Sequence, residues 1–410
     1  MTKPKKNIVM LGCFDTKAED FHYLHQCLYT YNVSITTINV GVLGTTTLFP
    51  VDFESDEVAR QGKNNIDVLR SQKARGNALK IMGTGAAKIL AKLVSQNKVD
   101  GVIGMGGGGG TFMTLLAMQA VSFGIPKMCI STLAAKDLAD QMDSKDITLI
   151  PSIVDITGIN RISSVIISQS AGALIGMVNA SVLPTKKTAG SIAVSVFGNT
   201  TICVDACSKV LKSMNYEVLT FHAIGTGGKT MENLILDSQF DAILDITTTE
   251  LADNLSDGIC SAGPNRLEAA SKMGIPQVVA PGCLDMVNFG TIDSVPKKYK
   301  KRQLFSWAPD VTLMRTNAEE NKILGKQFAE KINKSTAPVT VLLPLGGISK
   351  ISAEGEVFYQ PNIDKILFDT IKENCHENIT IIAVDYNINT PEFGNIATKE
   401  LLKLLNKPTV

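Results

Sequence analysis

Five consecutive glycines, Gly106 to Gly110, stand between two apolar stretches and limit what this chain can build. Gly101 to Ile103 reads as a buried strand, and Thr111 to Val121 has the spacing of a helix with one apolar face. Glycine inside an element costs about 1 kcal/mol relative to alanine, so the run is expected between the strand and the helix. There it offers bare backbone N–H groups, unrestricted φ and ψ, and the partial positive charge of a helix N-terminus. Strand, glycine run and helix in that order form a site for a phosphate or carboxylate.

The loop belongs to no standard nucleotide class. Gly104, Gly106 and Gly109 satisfy G-x-G-x-x-G, but the following strand ends in Ser131-Thr132, without the acidic residue that a dinucleotide fingerprint needs. A P-loop needs lysine where Gly110 stands. The expectation is an anion-cradling loop for a phosphorylated ligand.

Strand-like and helix-like segments alternate along the rest of the chain. Strands are expected at 7–13, 34–40, 127–132 and 147–153, and helices at 18–31, 75–96 and 158–180, with Met82-Gly-Thr-Gly85 interrupting the second helix. Pro184 to Gly190 is polar and bounded by Pro and Gly, as linkers are. Beyond it the alternation restarts, with strands near 191, 217, 242, 277, 339 and 379 and a loop-rich stretch between 284 and 307. The pattern predicts an α/β protein of two Rossmann-like, three-layer α/β/α domains with mainly parallel sheets, at 1–184 and 190–410. Two echoes between the halves hint at duplication: Ile103-Gly-Met-Gly-Gly with Ile224-Gly-Thr-Gly-Gly, and Gly124-Ile-Pro126 with Gly274-Ile-Pro276.

Composition narrows the partners. The 410 residues carry 40 basic and 39 acidic side chains, so nothing marks nucleic acid or an anionic membrane as the main partner. The runs at Lys3 to Lys6 and Lys297 to Arg302 read as solvated surface. No apolar run approaches the roughly 18 residues of a membrane span. Eight scattered cysteines without a C-x-x-C pair point to a reduced, cytoplasmic protein. Ser170-Ala-Gly-Ala173 points to close helix packing of a kind used between subunits.

Candidate site residues lie at predicted carboxyl ends of strands, where open α/β sheets bind ligands. Asp15, Thr16 and Lys17 follow the first strand, with Asp15 or Thr16 also placed to cap the next helix. In the second half Asp245, Glu250 and His222 are candidates for acid/base work, with Lys229 as a charge in Gly225-Thr-Gly-Gly-Lys-Thr230. That loop looks like the end of a P-loop, but its first glycine falls on Ala223. Asp285 and Asn288 sit in a loop too apolar for a pure linker. No metal-ligand set is evident.

Several segments resemble one family. Gly12-Cys-Phe-Asp-Thr-Lys17, Arg75-Gly-Asn-Ala78 and the 101–111 glycine segment carry the likeness in the first half. Phe221-His-Ala-Ile-Gly-Thr-Gly-Gly-Lys229, Asp245-Ile-Thr-Thr-Thr-Glu250 and Leu284-Asp-Met-Val-Asn-Phe-Gly290 carry it in the second. By these motifs the chain resembles the Tm-one-like ATP-binding domain family, which includes the inhibitor domain of a plant tobamovirus-resistance protein. The resemblance implies ATP as ligand, with or without Mg²⁺, and a homodimer. It places ATP contacts at Asp15, Thr16, Lys17, Arg75 and the glycine loop, Gly106, Gly107, Gly108, Gly109, Gly110 and Thr111. It adds backbone contacts at Gly41 and Val42. The sequence departs from the family at Cys13-Phe14, where smaller residues are expected, and at or beside Gly109, where relatives often carry serine.

Three functions follow as expectations. The first is an ATP-binding protein holding phosphates on the glycine loop near the cleft between domains, with Asp15 positioning Mg²⁺ or capping its helix. The second is an enzyme acting in that cleft on a small phosphorylated or carboxylated metabolite. The third is an ATP-gated interaction or inhibitor scaffold.

Overall fold

A computed structural model describes residues 5–72, 74–183 and 186–405. The chain divides into two compact units, residues 1–184 and 185–410. Within the expected linker, Pro184 and Thr185 lie outside the described residues, as do Lys3 and Pro4 of the first basic run.

The first unit holds strands β1 (Asn7–Gly12), β2 (Ser34–Asn39), β3 (Gly101–Gly106), β4 (Lys127–Ser131) and β5 (Ile147–Pro151). Its helices are α1 (Ala18–Tyr29), α2 (Ser55–Gln61), α3 (Ile66–Gln72), α4 (Arg75–Ser95), α5 (Gly108–Met118), α6 (Ala139–Met142) and α7 (Ser163–Asn179). All strand pairs are parallel, in the order β2-β1-β3-β4-β5. Alternation along β1 divides the core between two layers. Val9 and Leu11 pack toward α4 and α5, whereas Ile8 and Met10 pack toward α1 and α7. Because β2 and β3 lie on opposite sides of β1, the sheet reverses direction there, and the loops after β1 and β3 diverge to leave a crevice.

Glycines close this unit rather than interrupt it. Helix α4 runs unbroken through Gly83 and Gly85, correcting the expected break. A Cβ on Gly85 would stand 1.9 Å from the Val58 carbonyl oxygen of α2, so the bare backbone lets two helices touch. The polar stretch before residue 62 contains α2.

The second unit has strands β6 (Ser191–Val196), β7 (Glu217–His222), β8 (Ala242–Thr247), β9 (Gln277–Gly282), β10 (Met286–Phe289), β11 (Leu304–Ala308), β12 (Val311–Arg315), β13 (Val339–Pro344) and β14 (Thr380–Val384). Its helices are α8 (Thr201–Ser213), α9 (Thr226–Leu236), α10 (Glu250–Ser256), α11 (Ala269–Met273), α12 (Ala318–Ile332), α13 (Pro361–Asn374) and α14 (Pro391–Leu405). Six parallel strands run β14-β13-β9-β8-β6-β7. Helices α8 and α14 cover one face, and α9 to α13 cover the other. The stretch read as loop-rich contains a small antiparallel sheet, β10-β12-β11.

Both units are therefore α/β with largely parallel sheets flanked by helices. Topology separates the two sequence echoes. The Gly-Ile-Pro tripeptides precede β4 and β9, each next in line after the strand beyond the reversal, and Gly124 and Gly274 both take positive φ. The glycine runs are not equivalent, since one follows inner strand β3 and the other follows edge strand β7.

Candidate functional site

A cavity of about 540 Å³ opens where the first sheet reverses, lined wholly by residues of the first unit. Its walls come from the ends of β1 (Cys13 and Asp15 to Lys17), β2 (Val40 to Leu43) and β3 (Met105 to Gly110), with Leu69 and Arg70 of α3, the start of α4 and Asp155. Eleven of the twelve expected binding residues line it: Asp15, Thr16, Lys17, Gly41, Val42, Arg75 and Gly106 to Gly110. Thr111 is the exception. Its buried hydroxyl bonds Ser131 Oγ at 2.6 Å and the Gly106 carbonyl at 3.1 Å, tying α5 to β3 and β4.

The glycine run lies differently from expectation. Helix α5 starts at Gly108, so three of the five glycines form its first turn. The Thr111 N–H donates to the Gly107 carbonyl at 2.8 Å and closes that turn. The N–H groups of Gly107, Gly108, Gly109 and Gly110 have no partner among the described residues. These are the orphan donors that every helix N-terminus carries, here turned toward a cavity. Glycine is also needed for the approach of helix to strand, because a Cβ on Gly106 would lie 2.6 Å from Gly110 Cα.

Arg75 begins α4 beside this loop. Its Nη2 atom stands 3.6 Å from the position of a Cβ on Gly109, and it has no ion-pair or hydrogen-bond partner among the described residues. Arg70 also lines the cavity, but its Nε donates to the Val42 carbonyl at 2.6 Å and its guanidinium pairs with Asp67 at 3.3 Å. Lys17 is engaged as well, its ammonium donating to the Ile156 carbonyl. Neither Asp15 nor Thr16 caps α1, whose N-cap is Lys17 without a side-chain bond. Asp15 instead accepts from the Leu43 N–H at 2.8 Å through Oδ2, while Oδ1 is buried against Gly41. A Cβ on Gly41 would stand 2.3 Å from that oxygen, so glycine there makes room for the carboxylate.

The two departures at 13 and 14 have separate consequences. Phe14 is buried against Phe21 and Phe49 and does not line the cavity. Cys13 does line it, and burial, with Asp15 adding to the effect, pushes its thiol up to about 12. Cys13 therefore lines the wall as a neutral thiol.

The candidates of the second unit have other occupations. Arg266 is fully buried, with Nη1 2.5 Å and Nη2 2.7 Å from the two oxygens of Asp245, and Nε 2.5 Å from Glu250. Glu232 completes the cluster at 3.2 Å. Ser195 Oγ donates to Asp245 at 2.6 Å. The second oxygen of Glu250 accepts from the N–H groups of Gly225, at 2.7 Å, and Gly228, at 3.1 Å. The anion at this turn is thus the protein's own carboxylate, although the loop looks like the end of a P-loop. Asp245 and Glu250 are thus fully paired and closed to solvent within the core of this unit. His222 is exposed, its ring 5.6 Å from that of Phe197, and Lys229 is half-buried on the first turn of α9.

Three features escaped the sequence reading. Arg266 lies in a polar stretch with no motif, and only the three carboxylates around it reveal its role. Arg70 and Asp155 line the cavity from segments without regular periodicity. Asp253 is buried, accepting from Cys260 N and Asn288 N at 3.1 Å and from Asn288 Nδ2 at 2.8 Å. Burial pushes its carboxyl up to about 7.

Comparison with known proteins agrees with this organisation. Residues 6–182 match the N-terminal domain, and 189–405 the C-terminal domain, of the uncharacterised protein family UPF0261. A UPF0261 protein of Clostridium tetani is 44% identical over 403 residues, covering 98% of this chain and all of its own. A UPF0261 protein of Rhizobium meliloti is 36% identical over 405 residues, covering 98% of this chain and 100% of its own. The ToMV resistance protein Tm-1 of Solanum lycopersicum is 33% identical over 422 residues, covering 98% of this chain and 56% of its own. With family matches spanning both units and relatives of 33–44% identity along 98% of this chain, the chain belongs to the UPF0261 family.

Proposed function

We propose that this protein binds ATP in the cavity of its first unit, with the phosphates on the glycine loop. The observation that carries the reading is the convergence on one cavity of four glycine N–H groups and the Arg75 guanidinium, all without a partner among the described residues. Backbone donors at a helix N-terminus and a planar cation suit phosphate oxygens. The other walls, including Val42, Leu43, Leu69 and Leu79, are apolar and suit a base. A volume of about 540 Å³ is in the range of small-ligand sites.

ATP acts as a bound ligand rather than a substrate in this reading, which the commitment of Asp245 and Glu250 to Arg266 favours. The test is calorimetric titration of the full chain with ATP and Mg²⁺, together with a turnover assay. Saturable binding without turnover is expected.

The same reading takes the protein as a cytoplasmic homodimer. All eight cysteines are free thiols, as a reducing compartment leaves them. Helix α7 turns Val165, Gln169, Ala173, Gly176 and Met177 outward, a small and apolar face suited to a second copy. Sedimentation of the parent and of Gly176→Arg tests it, with a shift to monomer expected in the variant. Among the described residues, no helix is long and apolar enough to cross a membrane.

A further inference from the structure

The polar side chains that line the cavity do not depend equally on a ligand. Thr16 and Asp155 are exposed, so water serves them as well as a ligand would. Asp15 differs. Its Oδ2 accepts from the Leu43 N–H at 2.8 Å, whereas Oδ1 is buried and has no hydrogen-bond partner among the described residues. A carboxylate only accepts, so this oxygen lacks a donor. A buried acceptor left unpaired costs its full desolvation, and a ligand that brings the donor removes that cost.

The carboxylate is held in place from two strands. After β1, the Lys17 N–H donates to the Cys13 carbonyl at 3.0 Å and turns the chain. Asn39, the buried last residue of β2, accepts through Oδ1 from the Phe14 N–H at 3.2 Å and the Gly41 N–H at 3.0 Å. One side chain thus ties the loop after β1 to the loop after β2. A Cβ on Gly41 would stand 2.3 Å from Asp15 Oδ1 and 2.5 Å from Oδ2, so the carboxylate lies directly on bare backbone.

Strand order sets which part of a nucleotide comes to this oxygen. Neighbouring strands lie about 4.8 Å apart. The end of β1 is therefore one strand from the glycine loop after β3, and the apolar 42–43 wall after β2 is two strands away. In a nucleotide the sugar follows the phosphates and the base follows the sugar. With phosphates on the glycine loop and the base on the 42–43 wall, the sugar falls at Asp15. Carboxylates accept from ribose hydroxyls in the same way in dinucleotide-binding folds.

We propose that Asp15 Oδ1 accepts a hydrogen bond from a ribose hydroxyl of the bound nucleotide, so that the cavity selects ribonucleotides over deoxyribonucleotides. The proposal rests on the nucleotide reading of this cavity and adds its sugar specificity. A site built around a buried acceptor rejects the analogue that lacks the matching hydroxyl, because the acceptor is then left unpaired. The glycine N–H groups and Arg75 face phosphate and do not tell one sugar from another.

The test is calorimetric titration of the full chain, with excess Mg²⁺ throughout, by ATP, 2′-deoxy-ATP and 3′-deoxy-ATP, for the parent and Asp15→Asn. The parent should bind at least one deoxy analogue roughly tenfold to a hundredfold more weakly than ATP, the range of one hydrogen bond to a charged group. Asparagine keeps the shape and an acceptor for the Leu43 N–H, so the fold is expected to survive, and the thermal midpoint checks it. In Asp15→Asn the affinity for ATP should fall toward that for the deoxy analogue, bringing their ratio toward one. A ratio as large as that of the parent would overturn the proposal, because Asp15 would then only shape the wall. Loss of all three ligands by a folded Asp15→Asn would also overturn it, since one sugar contact does not carry the whole affinity. Equal binding of the three ligands by the parent would overturn it while leaving the nucleotide reading intact. No binding of any of them by the parent would remove that reading as well.

Discussion

The Nη2 atom of Arg75 stands 3.6 Å from where a Cβ on Gly109 would lie, placing a free guanidinium beside free backbone donors. Arg75 is the first residue of α4, and Gly109 is in the first turn of α5. Two helix N-termini therefore meet at one wall of the cavity, and their dipoles add to the arginine charge. Arg75→Ala should weaken ATP binding by roughly tenfold to a hundredfold, the equivalent of about 1.5–3 kcal/mol for a charged hydrogen bond. Its thermal midpoint should stay near that of the parent, since Arg75 is exposed and unpaired. Arg75→Lys should recover only part of the affinity, because an ammonium lacks the planar fork. Titration of the three proteins checks this.

Arg266 neutralises Asp245, Glu250 and Glu232 in the core of the second unit. Arg266→Met should cost about 3–5 kcal/mol, because it leaves buried carboxylates without their counter-charge. Glu250→Gln should be milder, since Arg266 keeps two acidic partners. Urea unfolding, with each transition followed separately, reads both. A variant at Arg266 as stable as the parent would mean that the cluster does not hold the core.

Asp253 sets a pH dependence. Burial raises its folded value from 3.8 to about 7. A carboxyl raised on folding binds its proton more tightly in the native state, so its contribution is complete below 3.8 and is lost as pH rises through about 7. The thermal midpoint of the parent should therefore fall more steeply across that window than that of Asp253→Asn, which cannot ionise. Melting curves at half-unit steps of pH compare the two slopes.

Gly85→Ala should destabilise the first unit by about 1–3 kcal/mol, the usual cost of overpacking, because the new methyl meets the Val58 carbonyl. An alanine at Gly76, where a Cβ meets nothing within 4 Å, should be neutral or stabilising. The pair separates close packing from helix propensity in thermal unfolding.

Much of this was legible in the sequence because strands buried on both faces leave long apolar runs and each strand end is marked by Gly, Asp or Thr. The cavity wall at Asp15, Gly41 and Gly106 follows from that rule of strand ends. What was misread involves distance in the chain. Gly83 and Gly85 look like helix breakers until α2 and Leu116 of α5 appear against them. Gly108 to Gly110 look like a loop, yet the first turn of a helix has no internal N–H bonds to lose. Asp245 and Glu250 stand at strand ends as catalytic acids do, and nothing near them in the chain announces their pairing with Arg266, 21 and 16 residues away. Asp155 lies after an edge strand, and no local pattern announces that its loop returns to Lys17.

The most direct measurement of the central claim is the stoichiometry and site of ATP binding, by calorimetry on the full chain with Mg²⁺ present. The free donors lie in the first unit, while the glycine turn of the second is filled by Glu250, so one ATP per chain is predicted. Gly107→Val should abolish the heat while keeping the fold, since its Cβ meets only Thr132 Oγ1, at 3.8 Å, and crowds the cavity it lines. Two sites per chain, undiminished binding in Gly107→Val, or no heat and no thermal shift from a folded parent would contradict the account.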